Sequence, residues 1–214
     1  NGATALQIAC GNGHFDTAEL LIESGASLEL AAVDGNNPLI AAAVSNHASL
    51  VKLLIDNNAF IDAANKQGWT ALLVATSARF TDVASILLDN GANVDKQLPN
   101  GATALLIVSE TGYIDLVKLF LDHGSSVDLG DESGDTPLKR AAENGHGTVV
   151  TQLIEYGASV DAANYEGWTA LMSAAAEGEL EIISLLLQNG AHIDKQRPNG
   201  ASALSIASEY ENLD

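Results

Sequence analysis

Apolar and polar positions along the chain follow two alternating patterns. Stretches such as ALQIACGN (residues 5–12) are short and rich in small or apolar side chains. Each is followed by a longer stretch such as HFDTAELLIES (14–24), in which the apolar residues fall on one helical face. Both patterns predict helices. Before each short stretch stands a side chain that accepts from the unpaired amides of a helix start: Thr4, Asn37, Thr70, Thr103, Thr136, Thr169 and Ser202. Pro38 and Pro137 take the first-turn position, where a missing N–H costs little. The longer stretches end at Gly25, Asn58, Gly91, Gly124, Gly157 and Gly190, residues suited to a left-handed helix cap. Segments beyond them, such as ASLELAAVD and ANVDKQLPN, carry the alternation and turn residues of a protruding hairpin or extended loop.

These elements recur with a fixed period. Glycines at 2, 35, 68, 101, 134, 167 and 200 are spaced by 33 residues and followed by ATAL, NNPL, WTAL, ATAL, DTPL, WTAL and ASAL. No unit of this size covers its own helix faces, so the units must stack, each covered by its neighbours. A longer echo lies over the short one: DAANKQGWTALL at 62–73 returns as DAANYEGWTALM at 161–172, 99 residues later, and KQLPNGA at 96–102 returns as KQRPNGA at 195–201. A duplicated block of three units accounts for both. Neither end shows a clear polar capping unit, which predicts a stretch taken from a longer array.

The period and the TAL, NPL and TPL helix starts resemble those of the ankyrin-repeat family, over the whole chain. The resemblance implies an all-α ankyrin-repeat solenoid: stacked helix-turn-helix units joined by protruding hairpins or loops. Its units are 1–33, 34–66, 67–99, 100–132, 133–165 and 166–198, with a partial seventh at 199–214. The chain departs from the family in two ways. The usual histidine after TPL is replaced by Gln7, Ile40, Leu73, Leu106, Lys139, Met172 and Ser205, so its hydrogen bond is expected to be absent throughout. Arg79 stands where other units carry Gly13, Asn46, Gly112, Gly145 or Gly178; a left-handed conformation there implies strain on the order of 1 kcal/mol.

Composition narrows the function. With 214 residues and 47% hydrophobic content, the chain can hide about 70% of its unfolded surface. No apolar run approaches the roughly 20 residues of a membrane span, so membrane insertion is not expected. Nine basic against 28 acidic residues give a formal charge of −19, which repels a phosphate backbone and argues against nucleic acid as a partner. A single cysteine, Cys10, excludes an internal disulfide and fits a reducing, cytoplasmic setting. NGATALQIAC at the start shows no targeting peptide.

Signals for catalysis, cofactors and metals are weak. His14, His47 and His146 occupy one repeat slot, and Cys10 sits in a slot filled elsewhere by Ala43, Thr76, Ser109, Ala142, Ala175 and Ser208. Both patterns read as packing. Glu29, Asp62, Asp95, Asp128, Asp161 and Asp194 form a ladder with one carboxylate per unit, read as each tying down its own turn. No catalytic, cofactor or metal residue is assigned.

The informative positions are those where the frame repeats and the side chain does not. Trp69 and Trp168 stand where other units carry Ala3, Asn36, Ala102, Asp135 and Ala201; they are either exposed contact area or cover for their own turns. Phe60 replaces Ser27, Asn93, Ser126, Ser159 and His192, as a contact patch or as local cover. Lys66 and Gln67 correspond to Tyr165 and Glu166 across the duplication, and Leu98 to Arg197.

The family resemblance implies that such tips and the first-helix surfaces line a concave groove that grips other proteins. On this sequence that gives one patch of Phe60, Lys66, Gln67 and Trp69, a second of Tyr165, Glu166 and Trp168, and an acidic middle of Glu110, Thr111, Glu143, Asn144 and Glu177. At about 10 Å per unit the indoles would lie roughly 30 Å apart, which suits a protein or extended peptide. The expected function is therefore non-catalytic protein recognition, for a partner with apolar anchors and basic groups. The alternatives are a structural spacer or self-association segment, and the substrate-docking arm of an enzyme whose catalytic part lies outside this chain.

Overall fold

Helices of seven to nine residues do not persist alone in water, because nucleation is costly and few bonds repay it. The computed structural model, which describes residues 2–210, holds thirteen such helices together by stacking, with no strand among the described residues. The all-α architecture is as expected. No described helix is long and apolar enough to cross a membrane.

The chain divides into two compact units, Asn1–Pro99 and Asn100–Asp214, and the division falls on the seam of the 99-residue duplication. The first contains α1 (Ala5–Gly11), α2 (Phe15–Glu23), α3 (Pro38–Val44), α4 (Ala48–Asp56), α5 (Ala71–Ser77) and α6 (Thr81–Asp89). Here α1, α3 and α5 pack side by side in sequence order, α2, α4 and α6 form a second row, and each odd helix packs on the even helix that follows it. The second unit contains α7 (Ala104–Thr111), α8 (Ile114–Asp122), α9 (Pro137–Glu143), α10 (Gly147–Glu155), α11 (Ala170–Glu177), α12 (Leu180–Gln188) and α13 (Ala203–Glu209). Its rows are α7, α9, α11 and α13, and α8, α10 and α12.

Each predicted cap is made. Thr4, Asn37, Thr70, Thr103, Thr136, Thr169 and Ser202 accept from the amide three residues on, and Pro38 and Pro137 open α3 and α9. The core follows from the slots: Leu6, Leu39, Leu72, Leu105, Leu138 and Leu171 are all buried, while Ala42, Ala75, Ala141 and Ala174 let the first helices approach closely. The longer helices add Leu50, Leu54, Leu87, Phe120 and Leu153. Asn46, Asn58 and Arg79 are left-handed, and of the three Arg79, at φ 64°, is the type that conformation costs most.

The linking segments are tight turns rather than hairpins, with isolated bridges at Ala163–Thr169 and Gln196–Ser202. Across five of these turns the two sides bond, as in Asn65 N to Trp69 O (2.9 Å) and Asn164 N to Trp168 O (3.0 Å). Successive tips also join through their backbones: Lys66 N donates to Asp34 O, Glu132 N to Asn100 O and Tyr165 N to Ser133 O. Only glycine permits this approach. A Cβ on Gly35 would lie 2.6 Å from Lys66 N.

Two sequence expectations need correction. Four carboxylates of the ladder reach beyond their own turns. Glu29 accepts from Phe60 N (2.8 Å), Asp62 from Asn93 N (2.9 Å), Asp128 from Ser159 N (3.0 Å) and Asp161 from His192 N (3.0 Å), so each fastens the following repeat. The stacked turns put the next amide within reach of a short side chain. Nor is the slot of the family's histidine empty of polar links. Gln7 Nε2 donates to Asn36 O, and the Lys139 ammonium in that slot is buried between Asp135 (3.2 Å) and Glu143 (3.1 Å).

Candidate functional site

Phe60, Lys66, Gln67 and Tyr165 have a fixed backbone and an exposed side chain. In the first unit, Phe60 is 64% exposed while its amide is held by Glu29. Lys66 and Gln67 are exposed, their amides bonded to Asp34 O and Asn65 Oδ1, and Trp69 beside them is half-buried. Asn65 Oδ1 also accepts from Trp69 N (3.0 Å), closing an Asx-type turn that positions the indole. The second unit repeats this with Asn164, whose Oδ1 accepts from Glu166 N and Trp168 N. Tyr165 there is 81% exposed.

The two tryptophan sites are not equivalent. In the second unit the Arg197 guanidinium lies 4.4 Å from the Trp168 ring centroid, a cation–π contact, and reaches the Glu166 carboxylate at 3.6 Å. Arg197 Nε donates to Glu166 O (3.3 Å). The carbonyl it meets corresponds to those that accept from a tip amide elsewhere, and the residue at the donor position here is Pro198, which has no N–H. The first unit has Leu98 and Pro99 at these positions and no such side-chain donor.

The first-helix ends of the second unit fall into two groups. Glu110 and Glu177 are exposed carboxylates, whereas Thr111 Oγ1 donates to Ile107 O (2.9 Å) and Asn144 Nδ2 to Arg140 O (2.9 Å), each turned back onto its own helix. Glu143 belongs to a network that the sequence reading missed. Arg140 joins Asp131 (2.9 Å), Asp135 (3.0 Å) and Glu143 (3.7 Å), and Lys139, its side chain 7% exposed, joins Asp135 and Glu143. Burial pushes the Asp131 carboxyl up, but the Arg140 hydrogen bond, the Asp135 and Ser133 amides and the Arg140 charge together hold it below the usual carboxylate value. Its sequence signal is DTPLKR, a helix start with two cations where other units carry uncharged residues.

The histidine and cysteine slots are occupied by packing. The His47 ring abuts Gly13, and His146 abuts Gly112 with its Nε2 3.0 Å from Glu110 O. Cys10 is fully buried, which pushes its thiol up to about 11 and keeps the nucleophilic thiolate scarce at neutral pH. Among the described residues no three or more His, Cys, Asp or Glu side chains are arranged to hold a metal.

One concavity of about 310 Å³ lies wholly in the second unit. It gathers Glu143, Glu166, Trp168 and Glu177 from the sequence reading and adds Ser173 and Tyr210, which that reading missed. The charge is also uneven: residues 100–214 carry 18 acidic against 5 basic side chains, net −13, and residues 1–99 carry 10 against 4, net −6.

The sequence profile described as "Ankyrin repeats (3 copies)" matches residues 1–65, 28–98, 91–164 and 160–214. Among solved structures, the ankyrin repeat domain of Bcl-3, described as a unique member of the IkappaB protein family, is similar at 29% identity with TM-score 0.89, over 100% of this chain and 99% of that one. The human ASB11 ankyrin repeat domain is similar at 26% identity with TM-score 0.83, over 99% of this chain and 96% of that one. None of the curated proteins compared matches the sequence.

Proposed function

Because the chain belongs to the ankyrin-repeat family, whose repeats are generally protein–protein interaction modules, we propose that it binds a protein or extended peptide through its turn tips and first-helix ends, without catalysis. The observation that carries this reading is the separation of frame from side chain at the tips. The amides of Phe60, Lys66 and Tyr165 are fastened to the preceding repeat while the side chains stand in solvent. Rigid, exposed aromatic groups lose little freedom on binding and bury much area, which is what anchors at interfaces require. Glu110, Glu166 and Glu177 add negative charge that favours a partner with basic groups, and the net charge of −19 speeds encounter with such a partner.

The test is affinity capture with the chain and with two variants, Trp69→Ala/Trp168→Ala and Phe60→Ser/Tyr165→Lys, the latter placing residues that other repeats carry in those slots. Proteins retained by the chain and lost by both variants are identified by mass spectrometry, with circular dichroism confirming that both remain helical. Unchanged retention by both variants would remove these residues from the interface.

A further inference from the structure

On α11 the second unit departs from its own repeat by truncation. At one slot of the first helices stand Ile8, Ala41, Val74, Ile107, Arg140 and Ile206, and α11 has Ser173; three residues on, α7, α9 and α13 carry Glu110, Glu143 and Glu209, and α11 has Ala176. Residues three apart share a helix face, so both truncations shave the same side. That side borders the 310 Å³ cavity, whose walls include α9, the tip at Glu166 and Trp168, and Tyr210.

Two properties of the cavity describe what it would hold. Ser173 is only 3% exposed, and its hydroxyl has no hydrogen-bond partner among the described residues. Its oxygen is not among the described polar atoms shut off from solvent without a partner, so the hydroxyl opens on the cavity rather than on packed protein. The lining is also acidic beyond its internal pairing. Asp135 and Glu143 hold the Lys139 ammonium and Glu166 is near Arg197, but Glu177 has no ion-pair partner among the described residues. An anion would be repelled, and an apolar group would leave Ser173 and Glu177 unsatisfied. A compact cation with several donors on a slim apolar stem meets both, with Trp168 and Tyr210 beside the stem.

We infer that this cavity receives a lysine side chain from a basic segment of the partner protein, its ammonium meeting the Ser173 hydroxyl and the Glu177 carboxylate. The assignment rests on the reading of the chain as a protein-binding array and names the partner chemistry at one place on it.

The experiment uses the whole chain with Trp69→Phe, which leaves Trp168 as the single tryptophan, excited at a wavelength the tyrosines do not absorb. It is titrated with a capped peptide bearing one lysine among glycines, with the same peptide acetylated on that lysine, and with glutamate in its place. The free-lysine peptide should change Trp168 emission saturably and the other two should not. Affinity should fall about fivefold with Glu177→Gln and about tenfold with Ser173→Ala. Ser173→Ile, which restores the bulk found in other repeats, should abolish the response while thermal unfolding shows the chain still folded. Asp16→Asn, removing a charge on α2 of the first unit, should leave the affinity unchanged. An equal response to the acetylated peptide, or equal weakening by Asp16→Asn, would reduce the binding to general charge attraction and overturn the assignment. No response in the parent chain, with the tryptophan and tip variants still losing captured proteins, would remove the lysine pocket and leave the wider binding surface standing.

Discussion

The Asp128 carboxylate accepts from both the amide and the hydroxyl of Ser159, at 3.0 Å and 2.6 Å, across 31 residues of sequence. Glu29 and Asp161 each hold one amide of the following repeat in the same way. Asp128→Ala should therefore destabilise the chain by about 1 kcal/mol, and Glu29→Ala by about half as much, since hydrogen bonds to a charged acceptor exceed neutral ones and exposure reduces both. Urea unfolding followed by circular dichroism reads the difference; two unshifted midpoints would show that the ladder contributes nothing to stacking.

Arg79 offers the opposite sign. It holds φ 64°, where a Cβ is disfavoured, and other repeats place glycine or asparagine there. Arg79→Gly should raise stability by about 1 kcal/mol, less the extra freedom glycine has in the unfolded chain. A lowered thermal midpoint would mean that contacts of the arginine outweigh its backbone strain.

The Asp131–Arg140 pair predicts a pH dependence. The folded-state pKa of Asp131 lies below the usual 3.8, so the unfolded chain takes up the proton first as pH falls. The stability this pair contributes is thus fully present above about pH 4 and is lost as pH drops through the depressed folded value. Arg140→Met removes the hydrogen bond and the charge that depress it and leaves burial opposed by the Asp135 and Ser133 amides, so the Asp131 carboxyl should move up from its folded value. A carboxyl-carbon NMR titration of both proteins reads the shift, and an unmoved Asp131 would contradict the assigned cause.

Arg197 covers Trp168, and its counterpart in the first unit is Leu98. With Trp69→Phe as background, Arg197→Leu should make Trp168 emission more sensitive to acrylamide quenching. Stability should fall by about 0.5–1 kcal/mol, the range of a partly exposed cation–π contact. Identical quenching would show that the guanidinium does not shield the ring in solution.

The caps and the stacking period were legible because each depends on residue type at a fixed local offset: Thr103 before Ala104, Pro137 opening α9, Gly124 after α8. The carboxylate ladder was misread for a reason built into repetition. Asn93 lies one period beyond Phe60, so a bond from Asp62 to its own turn and a bond to the next one leave the same pattern in sequence. Only the stack separates them. The cavity in the second unit was legible in part: Ser173 in a slot that elsewhere holds isoleucine, valine, alanine or arginine is a visible departure, but that its hydroxyl would open on a cavity depends on the packing of α9, α11 and α13. The Lys139 and Arg140 network was visible as charge in the wrong place, while the identity of its partners required the turn that brings Asp131 back toward α9.

The tip-to-tip bonds use only backbone atoms, Lys66 N to Asp34 O and Tyr165 N to Ser133 O, so they are indifferent to the side chain they carry. Nineteen amino acids can be exchanged at such a position without breaking the rung. Proline, the one that cannot make it, occupies 99 and 198, the closing tip of each duplicated block. Proline at this position therefore recurs with the 99-residue duplication. The bonded rungs leave the side chain they carry free to vary, and the proline positions mark where each duplicated block closes without one.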